Sequence, residues 1–251
     1  GQRSNAGRLV HGGVWRDEHE WPLARTVFTP YYLHEDGSLG TEAPKADDSH
    51  TTYRFDPANP VPSIGGNVSS LRDVAPLPPG IADPTYMGRG VRTVDLMRAG
   101  GFDQTEREGF FGCKAPFLPL GSRADVLVFQ TEPLSEPLEV TGPIEVEFWV
   151  STSAADTAFT AKLIDVYPPS AWYPYGYALN LTDSLMRLRY RNGRERGEPA
   201  RPGEVARVTI TLYPTSNRFM PGHRIRLDIS SSNFPRFDVN PNTGEPIGRD
   251  R

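Results

Sequence analysis

The sequence predicts an all-β fold, a jelly-roll β-sandwich with a long irregular insertion, and three observations carry that expectation. Apolar residues recur at every second position in several separate stretches, and clusters of turn-forming residues separate those stretches. Proline and glycine are abundant, 25 and 24 residues in a chain of 251. Proline ends helices and sits in turns and edge strands, so this density favours many short elements joined by shaped loops.

Taken from the N-terminus, strands are expected at Thr26–Leu33, closed by the Glu35-Asp36-Gly37 turn, and at Thr51–Phe55. Between Pro57 and Ser122 the chain is rich in Pro, Gly and polar residues, and Val91–Ala99 alone has weak helical character. A connection this long inside a compact domain is usually functional or clamped against something else. Asp125–Thr131 reads as a strand. From Gly142 onward, Ile144, Val146, Phe148 and Val150 alternate with polar residues such as Glu145 and Glu147. Side chains on a strand point to opposite faces in turn, so this is a strand with one buried face. Phe159–Tyr167 and Leu185–Tyr190 are further strand candidates. Val208, Ile210 and Leu212 repeat the alternation, as do Ile225, Leu227 and Ile229 against Arg224, Arg226 and Asp228. Pro168–Pro169, Asn192–Gly193, Pro202–Gly203 and Pro221–Gly222 mark the turns between them. No repeat, low-complexity tract or second boundary is visible, so residues 1–251 read as a single domain with a loop excursion at about 57–122.

The formal net charge of -4 gives no long-range attraction for phosphate backbones, which argues against nucleic acid as a partner. No apolar run approaches the ~20 residues that span a bilayer, so no membrane partner is expected. The opening residues lack a signal-peptide core and an initiator Met and read like the middle of a longer protein. One cysteine, Cys113, excludes an intrachain disulfide and a thiolate metal cluster, and fits a reducing, cytoplasmic compartment.

Motifs for chemistry are mostly missing. There is no G-x-S-x-G elbow to expose a nucleophilic serine, no βαβ alternation to hold one, and no glycine-rich phosphate loop. The histidines His11, His19, His34, His50 and His223 show no zinc-site spacing, and His223 reads as a strand-start residue at the solvent edge. His11 and His19 read as surface neighbours of Trp15 and Trp21. Asp156, Asp165, Asp183 and Asp238 are scattered acids. Asp238–Gly244 reads as an Asx-rich turn ahead of a calcium loop. Cys113 reads as a small buried side chain rather than a nucleophile. The run Trp172-Tyr-Pro-Tyr-Gly-Tyr177 reads either as a sugar-stacking platform or, preferably, as a wide hairpin facing a neighbouring domain. No catalytic residue, metal or cofactor is assigned on this reading.

Several segments read together resemble one family. They are Trp15-Arg-Asp-Glu-His-Glu-Trp-Pro22, Tyr31-Tyr-Leu-His-Glu-Asp-Gly-Ser-Leu39, Phe55-Asp-Pro-Ala-Asn-Pro-Val-Pro-Ser-Ile-Gly-Gly66, Asp125-Val-Leu-Val-Phe129 and Glu139-Val-Thr-Gly-Pro143, followed by Asp156–Tyr167, Pro221-Gly-His-Arg-Ile225 and Ser230–Asp238. In this order they resemble the C-terminal domain of the X-Pro dipeptidyl-peptidase and cocaine-esterase-like (CocE/NonD) serine hydrolases, a galactose-binding-domain-like jelly roll. The resemblance implies an α/β-hydrolase domain, absent from this chain, that supplies Ser, Asp and His and acts on a small ester or amide substrate. This chain would then be a non-catalytic part of that enzyme, packed on the hydrolase domain. It also implies that Asn67, Val68, Ser69 and Ser70, which follow the Gly-Gly of the D-P-x-x-P-V-P-x-x-G-G motif, border the acyl pocket, unless they form an ordinary interface loop. The family's jelly roll continues to a final strand that this chain, ending at Arg251, is expected to lack, and the insert at Pro76–Ser122 exceeds that of shorter members. A homo-oligomer is left open. The alternative reading is a free-standing carbohydrate-binding jelly-roll module, supported by the Trp172–Tyr177 aromatics.

Overall fold

The alternating stretches become long paired strands, while described residues between Val61 and Leu120 cover one face of the larger sheet. The computed structural model describes residues 2–3, 9–10, 12–45, 48–67, 97–98 and 100–246. Two short antiparallel pairs open the chain: β1 (Gln2–Arg3) with β2 (Leu9–Val10), and β3 (Tyr32–Leu33) with β4 (Leu39–Gly40). Six longer strands follow: β5 (Val126–Gln130), β6 (Leu138–Val150), β7 (Ala158–Tyr167), β8 (Tyr177–Arg187), β9 (Ala206–Phe219) and β10 (Arg224–Ser230). They form a four-stranded antiparallel sheet in the order β5-β10-β7-β8 and a two-stranded antiparallel sheet of β6 with β9. The fold is all-β, and the only helical turns among the described residues are 3-10 segments at Leu120–Ser122 and Leu188–Tyr190.

The two sheets close face to face on one apolar core. Phe159, Ala161 and Leu163 of β7 and Ile225, Leu227 and Ile229 of β10 meet Val146, Val208, Ile210, Leu212 and Phe219 from the smaller sheet. All but Phe219 are period-2 inward positions, as the alternation predicts; Phe219 lies beyond the register slip in the β6–β9 ladder, which changes the phase. The β6–β9 ladder slips between Gly142 and Ile144, where Pro143 has no N–H to donate and Gly142 takes a φ of 141°.

The second face of the four-stranded sheet is covered as well. Val61, Ile64, Phe110, Leu120 and Val126 form a separate apolar cluster, with Phe102, Cys113 and Val128 packed against it. The expected excursion is therefore, where described, a lid clamped to the sheet. Burial on both sides explains why β7 is buried continuously from Ala158 to Asp165 rather than at alternate residues. Short bridges border the sheet: Ser38 with Gln130 beside β5, and Asp103 with Leu179 beside β8.

Some element boundaries differ from expectation. Of Thr26–Leu33 only Tyr32–Leu33 is a strand, since Pro30 lacks a donor and Val27 and Phe28 lie exposed with no sheet to join. The turn after it forms as expected, with the Gly37 N–H donating to the His34 carbonyl at 3.0 Å. Thr51–Phe55 forms no ladder; its anchor is the Tyr53 hydroxyl, 2.7 Å from Ser231 Oγ. Leu185–Tyr190 is the end of the longer β8 followed by the second 3-10 turn. Of Val91–Ala99 only Met97 and Arg98 fall within the described residues, and they are irregular.

Candidate functional site

The polar side of the four-stranded sheet carries a buried charged layer. Arg226, Asp228, Lys162, Asn180 and Asp183 project from β10, β7 and β8 beneath the lid rather than into water. Arg226 and Asp228 pair bidentately at 2.6 and 2.8 Å within one strand. Lys162 Nζ donates to Gln104 Oε1 at 2.7 Å, and Gln104 Nε2 donates to the carbonyls of Ile64 at 2.9 Å and Phe102 at 3.0 Å. Gln104 is 1% exposed, so one amide links the sheet to two passes of the lid.

The same layer grips Ser63–Gly66. Arg236 Nη1 lies 2.5 Å from Asp183 Oδ1, and Asn233 Nδ2 donates to Asp183 Oδ2 at 2.6 Å. Ser63 Oγ donates to Asn233 Oδ1 at 2.8 Å and accepts from the Arg236 N–H at 3.2 Å. Backbone bonds continue the grip. Ser63 N–H donates to the Phe234 carbonyl at 2.7 Å, and Gly66 and Gly100 exchange N–H and carbonyl at 2.7 and 3.0 Å. Gly65 permits that approach, because a methyl group there would overlap the Gly100 carbonyl and the Phe102 ring. Asn67, next in line, is exposed, whereas Val68, Ser69 and Ser70 lie outside the described residues.

Burial holds the Lys162 ammonium below its ordinary pKa, against the opposing pull of Asp183 and Asp228, with Arg226 and Arg236 lowering it further. Above the folded-state value but below 10.5, the unfolded lysine retains a proton that the folded one has lost. Raising pH through that window therefore favours the native state. Wild type should gain stability relative to Lys162→Met as pH climbs toward 10.5, measured by chemical denaturation at each pH. Parallel stability profiles for the two proteins would refute the assignment.

A second cluster sits at the β7–β8 turn. His223 is not at the solvent edge: it is 8% exposed, and its Nδ1 lies 2.8 Å from Asp165 Oδ1, itself 1% exposed. The signal is hard to read in sequence because the partners come from different strands, although Ile225 pairs with Asp165 in the β7–β10 register. The His223 ring packs 4.2 Å from that of Tyr167, whose hydroxyl burial pushes up to about 12. Tyr167, Tyr173 and Tyr177 pack edge-on or tilted against one another and line an open groove of about 820 Å³ with Trp172, Tyr175 and Arg224. Among the described residues no hydroxyl or thiol is hydrogen-bonded to the other His223 nitrogen, and no three His, Cys, Asp or Glu side chains converge.

The other acids are also placed. Asp156 is fully buried against Arg189 and Asn240, and the stretch after Asp238 folds back so that Asn240 Nδ2 donates to Asp156 at 3.0 Å. Cys113 is half-buried, with its thiol raised by that burial. No helix among the described residues is long and apolar enough to cross a membrane.

The profile of the X-Pro dipeptidyl-peptidase C-terminal non-catalytic domain matches residues 2–249. The chain belongs to that family. It is 36% identical over 254 residues to a cocaine esterase of Rhodococcus sp. (strain MB1 Bresler), covering 97% of this chain and 37% of that protein. Among solved structures it resembles an aminopeptidase from a marine sediment Thaumarchaeota archaeon, at TM-score 0.69 and 32% identity over 97% of this chain and 34% of the other. It also resembles an α-amino acid ester hydrolase, at TM-score 0.64 and 31% identity over 87% of this chain and 31% of the other. The chain thus spans about a third of the length of these relatives, as a non-catalytic C-terminal domain of CocE/NonD-type hydrolases does.

Several large apolar side chains are exposed near the N-terminus. Val14, Trp15, Trp21, Val27 and Phe28 crowd one N-terminal arm, with Trp15 fully exposed. Ion pairs hold that arm in shape: Arg16 bonds Glu139 of β6 at 2.8 Å and Arg25 pairs with Glu18. The Thr26 hydroxyl donates to the Thr141 carbonyl at 3.4 Å.

Proposed function

We propose that this chain is a single folded unit that packs on the α/β-hydrolase domain of a serine ester or amide hydrolase and forms one wall of its acyl pocket with Asn67, Val68, Ser69 and Ser70. The observation that carries the wall assignment is the grip on Ser63–Gly66: buried side chains fix the backbone up to the residue at which the chain emerges into solvent as Asn67. Fixed backbone beside a pocket is what positioning a substrate requires. Asn, Val and Ser would make that wall small and polar. The N-terminal arm, with two tryptophans and a phenylalanine exposed, has the composition of an interface centre and supports the packing role. The chemistry would be serine attack, acyl-enzyme formation and hydrolysis, carried by residues of the partner domain. The alternative of a free-standing carbohydrate-binding module rests on the aromatic groove, where Tyr167, Tyr173 and Tyr177 pack on one another and Trp172 and Tyr175 keep exposed rings.

The test is hydrolysis of p-nitrophenyl acetate and Ala-Pro-p-nitroanilide by this chain alone and by the full-length protein. Activity confined to the full-length protein and abolished by a serine-directed phosphonate is the expected result. Phosphonate-sensitive turnover by the isolated chain would overturn the accessory role and redirect attention to His223 and Asp165.

A further inference from the structure

Three buried side-chain atoms among the described residues have no hydrogen-bond partner: Asn180 Nδ2, Asp183 Oδ1 and Arg236 Nη1. Their residues are almost fully enclosed, with Asn180 3% and Asp183 1% exposed and the Arg236 side chain at 7%. Arg236 Nη1 and Asp183 Oδ1 attract as ions without the alignment of a hydrogen bond. The same three atoms surround one point of the backbone. A methyl group on Gly66 would lie 3.0 Å from Arg236 Nη1, 3.4 Å from Asn180 Nδ2 and 3.6 Å from Asp183 Oδ1. Gly66 itself holds φ at 122°, a conformation L side chains rarely adopt.

Buried polar groups in native proteins are nearly always satisfied, and each exception calls for a reason. Here all three exceptions fall together, at the last gripped residue before Asn67. Elsewhere in the layer the polar atoms are matched: Gln104 makes three side-chain bonds and Asn233 two. Departures from local optimisation of this kind gather where geometry rather than stability has been selected. A residue with a side chain at 66 would push the guanidinium aside, and a displaced guanidinium would release Asp183 and, through Asn233 and Ser63, the Ser63–Gly66 segment itself.

We infer that Asn180, Asp183 and Arg236 are positioning residues for acyl-group selection. They form a polar seat that accepts only a glycine at 66 and thereby sets where Asn67 stands and how large an acyl group the pocket admits. This rests on the wall assignment for Asn67. The seat acts through the backbone, so its effect appears as a change in selectivity between acyl groups rather than as a uniform loss of rate.

The experiment uses the full-length protein and the ratio of kcat/KM for p-nitrophenyl benzoate to that for p-nitrophenyl acetate. Gly66→Ala and Arg236→Lys are compared with Ile210→Val, a change in the distant core that removes one methylene group. The lysine keeps the charge but loses the planar fork that reaches both Asp183 and the Gly66 side. Both seat variants should shift the ratio by about tenfold, the scale on which pocket shape discriminates acyl groups. Ile210→Val should leave it unchanged even where its Tm falls as far. Asn67→Leu serves as the separate check on the wall. If Asn67→Leu moves the ratio and neither seat variant does, the seat is refuted and the wall stands. If Asn67→Leu leaves the ratio unmoved as well, the wall assignment itself fails. If Arg236→Lys does not fold, Asn180→Ser probes the same atoms with a smaller change.

Discussion

Replacing Asp156 by alanine should remove about 3–5 kcal/mol of stability, the usual penalty for deleting one partner of a buried ion pair. Asp156 is fully buried, and its carboxylate accepts from the Arg189 N–H at 3.0 Å, from Arg189 Nε at 2.6 Å and from Asn240 Nδ2 at 3.0 Å. These bonds join the entry to β7, the 3-10 turn after β8 and the returning stretch beyond Asp238. Truncation leaves the Arg189 Nε–H and the Asn240 amide in low dielectric without the acceptor they share. For a chain of this size the loss corresponds to a fall in Tm of about 10 °C. Asp156→Asn keeps the shape and two acceptor sites, so it should fall between alanine and wild type. A Tm for the alanine variant within a degree or two of wild type would show that the carboxylate is not holding these elements.

The second large effect belongs to the apolar core. Phe219 closes β9, is 0% exposed, and packs in the core between the two sheets. Phe219→Ala should cost about 3–5 kcal/mol, because the lost transfer energy is joined by that of a cavity rigid strands cannot fill. Tyr175→Ala, at a fully exposed ring in the aromatic groove, should stay within about 0.5 kcal/mol. Thermal unfolding of the two variants side by side checks both statements. Equal losses would mean that the groove, not the core, bears the packing.

What could be read from the chain follows from where water touches it. β6, β9 and β10 were legible because the sequence alternates there. On β6 and β9 that alternation has the simple meaning of one face in the core and one outside, as Val146 and Ile210 against Glu145 and Arg207 illustrate. On β10 the same pattern has a different cause. Arg226 and Asp228 read as a solvated face but sit under the lid, satisfied by each other. Lys162 and Asp183 were invisible as buried residues for the same reason, since a polar residue announces burial only through a partner. Those partners, Gln104 and Asn233, are 58 and 50 residues away. The front half of β8 was missed because Asn180 and Asp183 are poor strand formers individually, and only the lid and the neighbouring strand make the conformation favourable. The glycine pair at 65–66 was legible as a motif through the family resemblance; the seat beneath Gly66 was not.

The bridges at the margins of the large sheet bear on how the protein can be handled. A free strand edge exposes unpaired N–H and carbonyl groups and templates the addition of another chain. Here Ser38 runs beside Gln130 on one margin and Asp103 beside Leu179 on the other, so each margin is partly occupied by the protein's own backbone. The chain thus carries built-in protection against fibrillar self-association by that sheet. Removing the Asp103–Gln104 stretch to obtain a shorter expression product would trade solubility for size.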